Sequence, residues 1–287
     1  MVVEKAYAKI NIFLDVISKR QDGFHDILSI MHAVSLFDTV TVRAQRSEKR
    51  VITLRTNSAN LPTDNRNIAY RAAEAFLDKS QICSKINIEI DKNIPIGAGL
   101  AGGSSDAAAV LRALNKIYPV LDFEALLKIA AELGSDVPFC LLGGTAVCCG
   151  RGEQMTSVAS PELNLVIAIG DRSVETAKAY AALDKLYSDF SERRGKASFN
   201  ELLSATQKSD FSDFLYNIFE DVAATEVLEL KKRFIELSAT ASLMSGSGPS
   251  VFGIFEDEKT AALACEALLS DGYRAYLAKS VLPSGTL

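Results

Sequence analysis

Residues 95–109 read Pro-Ile-Gly-Ala-Gly-Leu-Ala-Gly-Gly-Ser-Ser-Asp-Ala-Ala-Ala, four glycines between a strand-like stretch and a helix-like one. No other segment constrains the chain as strongly. Glycines accept positive φ and let the backbone approach a ligand closely, while the first amides and the dipole of the following helix present partial positive charge. The segment therefore predicts a phosphate site. A tight turn with a serine N-cap would explain one or two glycines equally well, but not this density.

Three familiar phosphate loops can be tested against it. Gly97, Gly99 and Gly102 satisfy GxGxxG, yet a dinucleotide fold needs a second parallel strand and an acidic residue about 20 positions on. Here one helical pattern, continuing to about Ile117, is followed by another that Asp122 caps and Gly134 ends. A Walker loop needs Lys before the Ser or Thr, and Gly103 is followed directly by Ser104. The HRD and DFG elements of a protein kinase are absent as well. The turn fits none of these three loops.

The chain has 287 residues, enough for one large or two ordinary domains, and its 48% hydrophobic and 23% charged content is that of a soluble globular protein. Thirty-one Lys and Arg against 36 Asp and Glu give a net charge of −5 with no long basic block, so neither nucleic acid nor an anionic membrane is an expected partner. Glu4, Lys5 and Lys9 interrupt the first apolar stretch, and runs such as Leu163–Ile169 are far shorter than the roughly 20 residues of a membrane span. A cytoplasmic location is expected. Five cysteines without CxxC spacing and two histidines support neither a disulfide framework nor a structural zinc site, and the cysteines are expected to be buried and reduced.

Strand and helix signals alternate along the chain, which predicts an α+β architecture. Ala8, Ile10, Ile12, Leu14 and Val16 share one face of a first strand, with Lys9, Asn11 and Asp15 on a polar face opposite. Strands are predicted at 38–43, 51–54 and 85–90, and helices at 67–79, from the glycine turn to 117, and at 122–133. After the apolar run 137–149 a soft boundary falls near residue 155, with a linker at 157–161. Beyond it come strands at 163–169, 241–244, 250–255 and 273–280 and helices at 174–187, 224–237 and 258–270, with a polar, mobile loop expected at 188–198.

The loop Gly97–Ala109 resembles the phosphate loop of the GHMP kinase superfamily, in its long form GAGLAGGSSDAAA. The resemblance spans the chain. Ala8–Asn11 is similar to the family's opening motif, Lys19–His25 to its substrate-side turn, Gly134–Phe139 to its acidic motif, and Ser245–Ser250 to its third glycine motif. It implies a two-domain GHMP kinase fold: residues 1–155 as a ribosomal protein S5 domain 2-like, ATP-binding half and residues 156–287 as a ferredoxin-like half. Ala101 stands where the family usually has Gly, and Phe24 where it usually has Tyr.

The same resemblance implies an ATP- and Mg²⁺-dependent kinase acting on a small cytidine diphosphate-linked substrate, cytidyl-diphospho-methylerythritol, at its 2-hydroxyl. Relatives acting on mevalonate, homoserine or a sugar, or a catalytically silent nucleotide-binding regulator, are the alternatives. Asp136 is the implied base and Lys9 its partner, although a turn aspartate and a solvated strand lysine account for them taken singly. Pro95, Gly97, Gly99, Leu100, Gly102, Gly103, Ser104 and Ser105 would hold ATP, with Asn67 and Lys79 on the adenine side. Mg²⁺ would arrive on the nucleotide, and its ligands stay unassigned. Phe24, His25 and Tyr180 would hold cytosine from opposite sides of one cleft, and Asn11 and Thr176 the polyol or diphosphate. The turn 245–250 would close over the site from the second half.

Overall fold

The first apolar stretch forms β1 (Val2–Lys19), paired antiparallel with β2 (His25–Arg46) from Val2↔Val42 to Lys19↔His25. The computed structural model describes residues 1–170, 175–195, 197–208 and 214–282. The alternation expected in β1 does not run through. Register shifts fall at Tyr7/Ala8, Asn11/Phe13 and Val16/Ser18, so Ala8, Ile10 and Ile12 enter one core while Leu14 and Val16 enter another. An extra residue on one strand reverses which face each later side chain meets. The face expected to be polar is buried too: Lys9, Asn11 and Asp15 are at most 5% exposed.

β2 is one long strand whose first half pairs with β5 (Thr145–Cys149) and whose second half pairs with β4 (Ser84–Asp91). β3 (Val51–Thr56) lies parallel to β4, joined to it through α1 (Ile68–Ser80), and β6 (Gln154–Val158) extends the sheet beyond β5. Ile86, Ile88 and Ile90 of β4 face α1 and α2 (Gly102–Ile117), where Ala107–Leu111, Ala113 and Leu114 lie wholly inside the core. Strict alternation in β4 makes one side apolar, and the alanines of α2 let that helix approach it closely. α3 (Phe123–Leu133) begins where Asp122 accepts from the Ala125 amide and stops at Gly134, and α4 (Val137–Leu142) follows inside what the sequence offered only as an apolar run.

The second sheet takes the order β11-β7-β10-β9, all antiparallel, from β7 (Asn164–Ile169), β9 (Ala241–Met244), β10 (Ser250–Phe255) and β11 (Arg274–Lys279). In chain order that is 4-1-3-2, the ferredoxin-like arrangement expected. α7 (Thr225–Glu236) and α8 (Glu258–Ser270) pack against it, Phe234 lying so close to Gly253 that a Cβ there would meet its ring at 2.4 Å. α5 (Thr176–Leu186) and α6 (Phe199–Lys208) precede β8 (Tyr216–Asn217), which returns to the first sheet beside β1. The start predicted for α5 at 174 lies outside the described residues.

The loop expected to be mobile is anchored instead. Phe190 is buried in a 3-10 turn, Phe190–Glu192, and Arg193 pairs with the wholly buried Asp15 at 2.7 Å; residue 196 lies outside the described residues. The described cysteines are unpaired, with Cys148 and Cys265 buried and the other three only half-buried. Among the described residues no helix is long and apolar enough to cross a membrane.

Ala101 takes the N-cap position of α2 in the left-handed region, φ 55° and ψ 28°, with no side-chain cap. A Cβ in that region costs energy that glycine avoids. Ala101→Gly is expected to raise stability by about 1 kcal/mol, measured as a shift of the urea midpoint at unchanged slope.

Candidate active site

The glycine turn, the middle of β1, the start of β2 and α5 enclose a cleft of about 880 Å³ between the two sheets. Such a volume and a position between two halves are ordinary for a small-molecule site.

One wall is a chain of buried hydrogen bonds with a defined direction. Lys9 Nζ donates to Asn11 Oδ1 at 2.7 Å, and the Gly246 amide donates to the same oxygen at 3.1 Å. Two donors identify that atom as the amide oxygen, so Nδ2 donates to Ser29 Oγ at 2.9 Å, and Ser29 in turn donates to the Phe13 carbonyl at 2.6 Å. The Lys9 ammonium is thereby held with its remaining protons toward Asp136, whose Oδ2 lies 3.7 Å away. Asp136 occupies the N-cap position of α4 without making a cap hydrogen bond, and its side chain keeps 32% exposure to the cleft. Asp136 does stand in a turn, but its side chain caps nothing and faces the cleft, and burial of Lys9 rules out a solvated strand lysine. The carboxylate is free to accept a proton, and a buried ammonium stands beside it.

The floor is the glycine turn. Pro95, Gly97, Gly99, Leu100, Gly102, Gly103 and Ser104 all line the cleft. The first intrahelical bond of α2 runs from Ser105 N to the Ala101 carbonyl, so the amides of residues 102–104 precede it and stay free of helical partners. Gly99, at φ +74°, is needed for a further reason: a Cβ there would meet the Ser245 carbonyl at 2.4 Å. The turn 245–249 thus packs backbone to backbone on the loop, with Ser245 Oγ donating to the Gly99 carbonyl, which brings the second sheet over the cleft as expected. At Gly102 a Cβ would come within 2.9 Å of Lys92 Nζ.

At the far end His25 and Tyr180 stack on each other, ring centres 4.6 Å apart and 20° from parallel, and Phe219 meets Tyr180 edge-on at 4.9 Å. They form one wall rather than two facing ones. Burial pushes the Tyr180 hydroxyl up to about 12. Asp184 accepts from His25 Nε2 at 2.7 Å and from Lys19 at 2.6 Å. Burial works against its charge, but those two partners together outweigh it and hold the carboxyl below its usual range. An ionised carboxylate only accepts, so His25 carries a proton on Nε2. Phe24 stands at the rim, 52% exposed, with the Arg151 guanidinium 5.2 Å from its ring centre. It is not a core aromatic, because Gly23 and the Asp22 side chain turn the hairpin so that Phe24 faces outward. Thr176 lines the cleft at the start of α5, its Oγ1 3.1 Å from Ser247 Oγ.

Some expected members are not where the sequence placed them. Lys79 lies in the last turn of α1, exposed, and does not line the cleft. Ser105 turns inward and donates to the Tyr7 carbonyl, so its hydroxyl faces the core. Asn67 does line the cleft, but its side chain is used by the Ala69 amide and the Pro62 carbonyl. Asn11 is 1% exposed and engaged as described, which makes it a support for Lys9 rather than a free ligand. Two groups went unnoticed. Lys92 reaches the cleft between the buried Asp38 and Asp106, and Asp184 orients His25. Asp184 lies four residues after Tyr180 on one helical face, a spacing that could have revealed it; Asp38, Lys92 and Asp106 carry no spacing signal. Cys140, beside Ser105, is pushed by burial up to about 12 and offers no thiolate.

Residues 67–144 match the GHMP kinases N terminal domain family, and residues 192–275 the GHMP kinases C terminal family. A protein of Caldicellulosiruptor bescii named 4-diphosphocytidyl-2-C-methyl-D-erythritol kinase is 40% identical over 272 residues, 92% of this chain and 93% of its own. A crystal structure of 4-(cytidine 5'-diphospho)-2C-methyl-D-erythritol kinase superposes with a TM-score of 0.82 at 32% identity, covering 97% of this chain and 99% of that one. A homoserine kinase structure from Cytophaga hutchinsonii, at 20% identity and a TM-score of 0.68 over 96% and 95% of the two chains, shares the fold.

Removing Asn11 would take the acceptor from the Gly246 amide, leave the buried Lys9 ammonium with Asp136 alone at 3.7 Å, and leave Ser29 with only the Phe13 carbonyl. Asn11→Ala is expected to cost about 3 kcal/mol in urea denaturation, more than one lost hydrogen bond.

Proposed function

The chain belongs to the GHMP kinases, and on that premise we propose that it transfers the γ-phosphoryl group of ATP to the 2-hydroxyl of 4-diphosphocytidyl-2-C-methyl-D-erythritol. One observation carries the proposal: Asp136 and Lys9 meet between a phosphate-binding turn at one end of the cleft and a ring-lined pocket at the other. A nucleoside diphosphate needs such a pocket, and mevalonate, homoserine or a sugar does not. The Lys9–Asp136 pair also speaks against a silent regulator.

In this reading the half ending near residue 155 takes ATP along residues 95–104, and the half that follows closes the cleft through residues 245–249. The free amides at 102–104 grip the phosphates, and the adenosine lies toward Asn67. Mg²⁺ bound to the nucleotide would neutralise charge on the transferring group; among the described residues no three His, Cys, Asp or Glu cluster to hold it without the phosphates. Asp136 takes the proton of the acceptor hydroxyl as that oxygen attacks. The Lys9 ammonium, steadied by Asn11, balances the negative charge on the attacking oxygen. Phe24 folds over the cytosine from the rim, while His25 and Tyr180 form its back wall and Thr176 faces the linking phosphates. The cytoplasm, which supplies ATP and keeps thiols reduced, suits the unpaired cysteines.

Incubation with ATP, Mg²⁺ and a panel of candidate alcohols, read by product mass, tests the substrate; phosphorylation of homoserine or mevalonate in preference to the cytidine compound would overturn it. Asp136→Asn should lower kcat by at least about 100-fold while the circular dichroism spectrum is retained. Phe24→Ala should raise KM for the cytidine substrate about tenfold and leave KM for ATP unchanged, so an equal rise for both would remove the stacking role.

A further inference from the structure

Beneath the glycine turn three charged side chains share one buried site. Lys92 Nζ donates to Asp38 Oδ2 and, at 2.8 Å, to Asp106 Oδ2, and all three side chains are at most 5% exposed. The carboxylates are not equivalent. Asp38 Oδ1 accepts the amides of Asn93 and Ile94, so its charge is satisfied at both oxygens. Asp106, on the second turn of α2 and lining the cleft, is held by Lys92 and lies against the Asp38 carboxyl, while its Oδ1 is buried with no hydrogen-bond partner. One ammonium cannot neutralise two carboxylates. With both ionised the site carries a net negative charge directly below a turn built to receive a polyphosphate.

Resting on the nucleotide site proposed above, we propose that Asp106 takes up a proton from solvent when polyphosphate binds the 97–104 turn. The uptake removes the repulsion between the bound phosphates and the second carboxylate, and it links nucleotide affinity to pH. Burial, more than the neighbouring Asp38, already pushes the Asp106 carboxyl up to about 7, with Lys92 opposing. Added negative charge pushes it further in the same direction. Of the described charged groups on elements packed against α2, Lys9 of β1 and Asp136 at the start of α4 face each other at 3.7 Å. α1 and α3 present Ala72, Phe76, Leu126 and Ile129, and Glu4 of β1 is engaged by Arg112 and Lys116 farther along α2. Arg66, at the cleft mouth, pairs with Asp64. The sign follows. Below the free carboxyl's value Asp106 is already protonated and affinity is flat; above it binding draws in a proton, and Kd rises with pH by up to tenfold per unit until the value in the complex is passed.

Calorimetric titration of ADP into the full chain near pH 8, where ADP's own phosphates are ionised, in two buffers of different ionisation enthalpy, counts the protons taken up. The expected result is uptake of about half a proton or more with ADP and none with adenosine, which lacks phosphate. Asp106→Asn, a mimic of the neutral acid, should abolish the uptake and flatten the pH dependence of Kd. ADP binding without uptake, equal uptake with adenosine, or uptake retained in Asp106→Asn would each overturn the proposal while leaving the nucleotide site in place. Failure of ADP to bind at all would overturn both. The ADP and adenosine comparison needs only the unaltered protein, so it decides even if the variant does not fold.

Discussion

The Asn11 amide is where the two halves of the molecule become one. Its oxygen accepts from Lys9 on the same strand and from Gly246 in the turn of the second sheet, so a single buried acceptor fixes both the ammonium and the position of the lid above it. A buried ammonium and a buried amide N–H are each costly without a partner. Of the two bonds to that oxygen, the one from Gly246 crosses to the second half, so separating the halves here would take the acceptor from that buried amide.

The backbone contact between Gly99 and Ser245 works with that node. A side chain at residue 99 would strike the Ser245 carbonyl, so the packing of the second half on this turn by itself requires glycine here. The glycine turn is consequently hemmed in from two directions, by the second sheet above and by Lys92 below Gly102. A turn held in this way presents its amides already oriented, and little ordering remains to be done when an anion arrives. The charged trio beneath has the opposite character, with one carboxyl oxygen left unpartnered while the turn above it is fully braced.

Much of this was legible because local rules suffice for it. Alternation in β4, the cap at Asp122, the stop at Gly134 and the glycine turn all depend on a few adjacent residues. The failures share a cause. Bulges in β1 are invisible to a period-two pattern, and they sent Leu14 and Val16 to a different core from Ile10. The loop at 188–194 looked polar and free, yet Arg193 found a buried carboxylate 178 residues away in the chain. Ser105 and Lys79 carried a motif's promise, but helix geometry turned one into the core and left the other on the exposed end of α1.

The amino-acid sequence by itself determined the kind of chemistry: a glycine turn opening a helix, an aspartate after a helix stop, and a lysine two residues from an asparagine, since these depend on residue type and short spacing. Only the tertiary structure decided which of those groups meet. Lys9 and Asp136 stand 127 positions apart, and Asp38, Lys92 and Asp106 come from three separate elements. Such pairings are set by how sheets and helices pack, because the free energy of a buried charge depends on partners brought from distant parts of the chain rather than on its sequence neighbours.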